Sequence, residues 1–238
     1  MGTAINIVAV LLGGLLGSLL GDRLPERTRA TVLAGLGLMT LVVGLQMALM
    51  TNNVLVPMIS LLVGAVIGET LQLEAGLNRL GAWLEQRFSQ PGEGHSLARA
   101  FVTASLVFCV GPMSILGSIQ DGLAGDYHLL AVKSVLDGFA ALAFAASLGP
   151  GVLLSAVSVG VYQGGLTLAT VAMAGRLGGV TETTPAVVEL SATGGVLIMA
   201  IGLLLLDLRQ IRVGNLLPAV ALAPLLVWLL EAFGVAWR

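Results

Sequence analysis

Charge is what this sequence has least of. Asp, Glu, Lys and Arg make up 10% of its 238 residues, against 57% apolar ones, whereas a soluble domain carries about 25% charged residues. So little polar surface cannot face water on all sides, which excludes an ordinary soluble domain. The mean hydropathy of +0.99 points to the bilayer as the solvent. A net charge of −2 gives no footprint for nucleic acid. Cys109 is the only cysteine, so neither an intrachain disulfide nor a Cys-based zinc site is available. His95 and His128 fall in or near loops expected on opposite sides of the membrane, so they do not form a metal cluster. Walker A, G-x-S-x-G and H-E-x-x-H patterns are absent, and no nucleophile–base constellation stands out. An enzyme is therefore not expected, nor a metal or other cofactor. The opening MGTAINIVAV has no basic n-region, and its apolar stretch lacks an A-x-A-like end. It reads as a first span and not as a cleaved signal peptide.

What is abundant fits that solvent. Each span needs about 20 mostly apolar residues, and eight fit, at 4–21, 31–50, 54–72, 98–119, 128–148, 151–174, 187–206 and 215–235. The expected fold is an all-α, polytopic transmembrane helical bundle of about eight spans, a single integral membrane domain over 1–238. Segment 73–90 differs. Leu73, Leu77, Leu80, Leu84 and Phe88 recur at helical spacing while Glu74, Arg79, Glu85 and Arg87 take other faces, the pattern of an interfacial amphipathic helix. The SQPGEGHS that follows has loop composition.

The basic residues set an orientation. Arg23, Arg27 and Arg29, then Arg79, Arg87 and Arg99, then Arg209 and Arg212 all fall on one side of this topology. Arg176 and Arg238 fall on the other, and Lys133 lies within a span. Lys and Arg favour cytoplasmic loops, so both termini are expected outside the cytoplasm and segment 73–90 inside.

Glycine, at 32 residues, lets helix backbones approach closely in a membrane. Gly13 and Gly17 form the best GxxxG match. It suits a homo-oligomer and equally suits packing within one bundle. The glycines also hint at an internal repeat. Gly13-Gly14 in span one match Gly164-Gly165 in span six. Gly37 and Gly44 in span two match Gly195 and Gly202 in span seven, again seven apart. Asn53 to Pro57 opens span three as Asn215 to Pro218 opens span eight. Each partner lies five spans on, an odd number, so the halves would be inverted, a transporter architecture with its site where the repeats meet.

Polar groups inside a bilayer are costly and mark functional positions. Gly111-Pro112 interrupts the fourth apolar stretch, because proline removes a helix hydrogen bond and clashes with the preceding turn. A break there aims a half-helix from Met113 onward into the membrane with Ser114 and Ser118 on one face. The plainer alternative is a kink whose serines bond to their own helix. Gln120 and Asp121 close this segment as an interfacial cap or as a mouth that attracts cations. Lys133 and Asp137, four apart on span five, share a helix face as a structural staple or as a titratable couple on a path. Lys133 lies close enough to the outer end to snorkel. Asn6 and Gln163 supply uncharged groups for interhelical bonds or for an ion. Glu69, Glu189 and Gln46 read as solvated span ends.

The run GPMSILGSIQDGL, followed by KSVLDG and QGGLT, with the opening GTAINIVAVLLGGLLG, resembles the bacterial membrane family called domain of unknown function 554. The resemblance extends over essentially the whole chain. Gly111, Pro112, Ser114, Gly117, Gln120, Asp121, Lys133, Asp137 and Gln163 stand as that pattern has them. It implies a prokaryotic cytoplasmic-membrane protein and supplies no activity. The residues themselves lead to the functional expectation. It is a transporter or channel for a small solute or ion, its path formed by Asn6, Ser114, Ser118, Gln120, Asp121, Lys133, Asp137 and Gln163. The alternative is a membrane scaffold or sensor that docks a cytoplasmic partner on segment 73–90.

Overall fold

The computed structural model describes residues 1–21, 25–76, 79, 97–109, 112–172 and 183–234, and among these there is no strand. Among the described residues, six helices are long and apolar enough to cross a membrane: Gly2–Gly21, Ala30–Ala48, His128–Leu148, Pro150–Val171, Pro185–Leu205 and Val213–Ala232. Two further apolar helices, Arg99–Cys109 and Met113–Ala124, meet at 74°. Leu55–Leu71 is apolar but shorter. Gly111 and His95 lie outside the described residues. Of segment 73–90, residues 73–76 and 79 are described, and they are helical.

The elements are α1 (Gly2–Gly21), α2 (Glu26–Ala48), α3 (Leu55–Leu71), α4 (Leu97–Cys109), α5 (Pro112–Ala124), α6 (His128–Leu148), a 3-10 turn (Pro150–Leu154), α7 (Ser155–Ala172), α8 (Pro185–Leu205), α9 (Val213–Leu216) and α10 (Pro218–Ala232). Proline sits at the start of α5, the 3-10 turn, α8 and α10, where its missing N–H would have no helical partner anyway. Gly149 ends α6 at φ 94°, a backbone that side chains rarely allow, and its N–H closes on the Ala145 carbonyl.

The chain forms two compact units, Met1–Leu36 with Asn78–Val180, and Gly37–Leu77 with Thr181–Arg238. In the first, α1 and α6 run parallel. A methyl added at Gly13 would come 2.0 Å from the Gly138 carbonyl oxygen, one at Gly17 2.2 Å from that of Leu142, and one at Gly21 2.7 Å from that of Ala146. Both helices advance by four residues between contacts, so each turn of α1 from Gly13 to Gly21 lays a glycine on the α6 backbone. Gly13 and Gly17 thus meet a helix of the same chain. The other face of α1 carries Leu12, Leu15, Leu16, Leu19 and Leu20, all exposed. Glycine inside and leucine outside reverses the order of a water-soluble helix and suits a helix solvated by lipid.

In the second unit α2 and α8 cross antiparallel. A methyl at Gly44 would lie 2.7 Å from the Gly195 oxygen and one at Gly195 2.6 Å from the Gly44 oxygen, with Gly37 and Gly202 meeting the same way at 3.3 and 3.0 Å. α3 also runs antiparallel to α9 and α10, Gly64 meeting Ala219 of α10 and Gly68 meeting Asn215 of α9.

One expectation is corrected here. Glu189 is not a solvated end but fully buried. Its carboxylate accepts from the Thr51 hydroxyl at 2.6 Å and from the Asn52 and Asn53 backbone N–H groups at 2.7 and 3.3 Å, tying the α2–α3 connection to the second turn of α8. Glu69, by contrast, is half exposed and pairs with Arg212. Glu189→Gln leaves one oxygen where two accepted and turns an amide N–H toward donors. It should lower stability by about 3 kcal/mol, read from the thermal midpoint of the purified protein. A midpoint within a degree of native would mean that the carboxylate does not hold this connection.

Candidate functional site

The break in the fourth apolar stretch is where the first unit's polar side chains gather. In an unbroken helix the N–H of residue 112 would bond the carbonyl of Phe108, and proline has no N–H to give. The Ser114 hydroxyl takes its place, donating to the Phe108 carbonyl at 2.9 Å. That bond satisfies a backbone oxygen for which the bilayer core offers no water, and it fixes Ser114 at the junction of α4 and α5. Ser118 donates to the Ser114 carbonyl at 2.6 Å, so it follows the plainer expectation of a serine bonded to its own helix.

From Ser114 a connected chain crosses α7, α1 and α6. Gln163 donates through its amide nitrogen to the Ser114 hydroxyl at 3.4 Å, a long contact. The Gln163 Oε1 accepts from Asn6 Nδ2 at 3.2 Å, and the same nitrogen donates to Asp137 Oδ2 at 2.9 Å. Lys133 Nζ donates to that Oδ2 as well. Asn6, Gln163 and Ser114 are 0% exposed, Lys133 6% and Asp137 7%, so both charges of the pair are withdrawn from the surface together. Lys133 turns inward onto Asp137 and does not snorkel. Asp137 lies nine residues beyond the first residue of α6, about 14 Å along the axis at 1.5 Å per residue, close to half the thickness of a bilayer core.

The register of α1 makes this chain. Its glycines bring it against α6, and Asn6, seven residues before Gly13, shares their face. Because α1 also runs antiparallel to α7, with Ile7 beside Gly160 and Thr3 beside Gly164, Asn6 stands between Asp137 and Gln163 and serves both.

Five of the expected path residues, Asn6, Ser114, Lys133, Asp137 and Gln163, are therefore joined, and Ser118 is bonded to the backbone of one of them. Asp121 and Gln120 stand apart. Asp121 is buried near the C-terminal end of α5. It accepts from the Met1 ammonium at 2.9 and 3.2 Å and from the Gly2 N–H at 3.1 Å, and so caps α1. Gln120 is exposed. Pro112 opens α5. Two residues that the sequence reading passed over lie on the same seam. Thr3 and Thr167 each have a buried hydroxyl with no hydrogen-bond partner, and Asn6 Oδ1 is in the same state. Their signal was spacing, for Thr3 stands three residues before Asn6 and Thr167 four after Gln163. Among the described residues no group of three or more His, Cys, Asp or Glu is gathered to hold a metal ion.

Apolar helices with leucine outward and a buried polar chain across four of their number define a multi-helix membrane protein. The chain belongs to the family described as "Protein of unknown function (DUF554)", whose model matches residues 1–228, as the GPMSILGSIQDGL pattern implied. It is 36% identical over 227 residues to the uncharacterized protein YqgA of Escherichia coli (strain K12), with 94% of each chain covered. It is 26% identical over 238 residues to the uncharacterized membrane protein YdfK of Bacillus subtilis (strain 168), with 98% of each covered. No solved structure matches it.

Proposed function

We propose that the protein is a transporter or channel for a small solute or ion, with the chain Lys133–Asp137–Asn6–Gln163–Ser114 as its solute site. One observation carries the reading. Four elements each send a polar side chain to one connected, buried cluster at membrane depth, and the cluster is sited at a broken helix. A bundle that needed only to hold together has cheaper means in its glycine contacts, whereas an intramembrane charge pair is expensive and marks a pathway by default.

The packing directions support eight spans and an inverted repeat. α1 and α6 are parallel, as spans one and five must be. α1 with α7, α2 with α8 and α3 with α10 are antiparallel, as spans one and six, two and seven, and three and eight must be. The 17 residues of α3 reach the lower limit for a span. The reciprocal contact of Gly37 and Gly44 with Gly202 and Gly195 is what two inverted copies meeting about an axis in the membrane plane would make. In this reading both termini are outside the cytoplasm, the membrane is the prokaryotic inner membrane, and the protein carries out no covalent chemistry.

The test is flux. Purified protein in liposomes should move at least one member of a panel of cations, anions and small neutral solutes, and Asp137→Asn should abolish that movement while retaining the helical circular dichroism and the elution volume of the native protein. A folded Asp137→Asn variant that transports as well as native protein would remove this site from the path.

A further inference from the structure

The Thr3, Asn6 and Thr167 oxygens share one seam. Thr3 and Asn6 are three apart on α1, and Gln163 and Thr167 four apart on α7, so each pair shares a helix face. Asn6 meets Gln163, and the Thr3 methyl lies 3.8 Å from where a Cβ on Gly164 would stand. The helices are antiparallel, so one turn from Asn6 toward the start of α1 is one turn from Gln163 toward the end of α7. That step brings Thr3 level with Thr167. Two hydroxyls and an amide oxygen, each buried and without a protein partner, thus fall on one seam, and the Asn6 side chain that carries the amide oxygen reaches the Asp137 carboxylate through its nitrogen. Leaving such oxygens unpaired is unfavourable, and three on one seam need a common explanation.

We propose that this seam binds a dehydrated alkali cation, sodium in size and charge, through Asn6 Oδ1 and the hydroxyls of Thr3 and Thr167, with Asp137 as its counter-charge and Lys133 as the built-in competitor for that carboxylate. The inference rests on the reading of the polar chain as a solute site. The donor set selects the ion. An anion would face the Asp137 carboxylate and the Asn6 amide oxygen, which has no proton to donate. A divalent cation such as calcium takes several charged oxygens, and here the one carboxylate is already paired. Transition metals favour imidazole or thiolate, and the seam has neither. Neutral oxygens with a single shared negative charge suit a hard, singly charged ion. The Asn6 amide fits the role because its nitrogen is committed to Asp137 and Gln163, which leaves the oxygen turned to the ligand.

Binding of sodium-22 to the full-length protein in detergent tests this, with lithium and potassium as competitors and choline as the inert control. Saturable binding that lithium or potassium displaces and choline does not is the expected result. Thr167→Val removes a hydroxyl that bonds nothing in the protein, so its thermal midpoint in choline chloride should match native while its sodium affinity falls about tenfold. Lys133→Met, wherever it folds, should bind sodium more tightly, because the competitor is gone. Absence of saturable sodium binding, as when water alone fills the seam, overturns the proposal, and so does a folded Thr167→Val that binds like native. Flux on the same preparation separates the two readings. Solute movement without sodium binding overturns the cation site and leaves transport standing. Sodium binding without flux of any solute upholds the site and overturns transport.

Discussion

Replacing Lys133 by methionine should lower the stability of the folded chain by about 3–5 kcal/mol, while Lys133→Met combined with Asp137→Leu should recover most of that loss. The two carry opposite charges at 6% and 7% exposure, and Asp137 has one other donor, Asn6 Nδ2 at 2.9 Å. Removing the ammonium alone leaves a carboxylate in a poorly polarisable surrounding with a single neutral hydrogen bond, and a buried charge stripped of its partner costs on that scale. Removing both charges and keeping apolar volume takes away the Coulomb attraction and the desolvation cost together, which largely cancel. The Asn6 amide then loses one acceptor, so recovery stops about 1–2 kcal/mol short. Unfolding in mixed micelles with increasing dodecyl sulfate gives all four corners of the double-mutant cycle. If Lys133→Met unfolds within 1 kcal/mol of native, the pair is not withdrawn from water and the polar chain loses its central link.

The elements of this site were legible to different degrees, for physical reasons. Lys133 and Asp137 were visible because charges four apart inside an apolar stretch have one economical arrangement. Pro112 was visible because its missing N–H interrupts any helix, though the sequence does not say which group replaces it. Ser114 does so, and it was open whether that serine would bond within its own helix. Asn6 and Gln163 were visible as polar residues in spans, but their joint hold on one chain depends on how α1 sits against two neighbours. Thr3 and Thr167 were missed because a threonine in a membrane helix usually bonds the carbonyl a turn back, as Thr170 does to Leu166 at 2.8 Å. Only coordinates reveal one that does not. Glu189 was misjudged because an acidic residue near a span end looks solvated whenever the loop that covers it is distant in sequence. Asp121 was read as cap or mouth, and its oxygens go to the start of α1. Glycine spacing was the most informative signal and the least specific. It announces close approach without naming the partner, so Gly13 and Gly17 were equally consistent with a second copy and with α6.

That partner makes the other large effect. Gly13→Ala should lower the stability by about 3 kcal/mol or more, and Gly165→Ala should leave it unchanged or raise it slightly. Alanine differs by one methyl in both cases, and what the methyl meets decides the sign. At Gly13 it would stand 2.0 Å from the Gly138 carbonyl oxygen and 2.9 Å from the carbonyl carbon, all of it backbone, so no side chain can turn aside. α1 and α6 must separate, and over-packed cores respond with costs of about 1–3 kcal/mol, occasionally more. The separation reaches further than one contact, because the rungs at Gly17 and Gly21 and the Asn6–Asp137 bond depend on the same interhelical distance. At Gly165 nothing lies within 4 Å, and replacing a helical glycine by alanine gains up to about 1 kcal/mol of helix preference. The pair of variants therefore separates the cost of steric exclusion from the general effect of glycine removal. It also links packing to the site. With α1 moved away, Asn6 no longer bridges α6 and α7, so a Gly13→Ala chain that still inserts and folds should lose whatever flux the native protein has. Unchanged stability at Gly13 would mean that the two helices do not pack backbone to backbone, and the register that places Asn6 against Asp137 would fall with it.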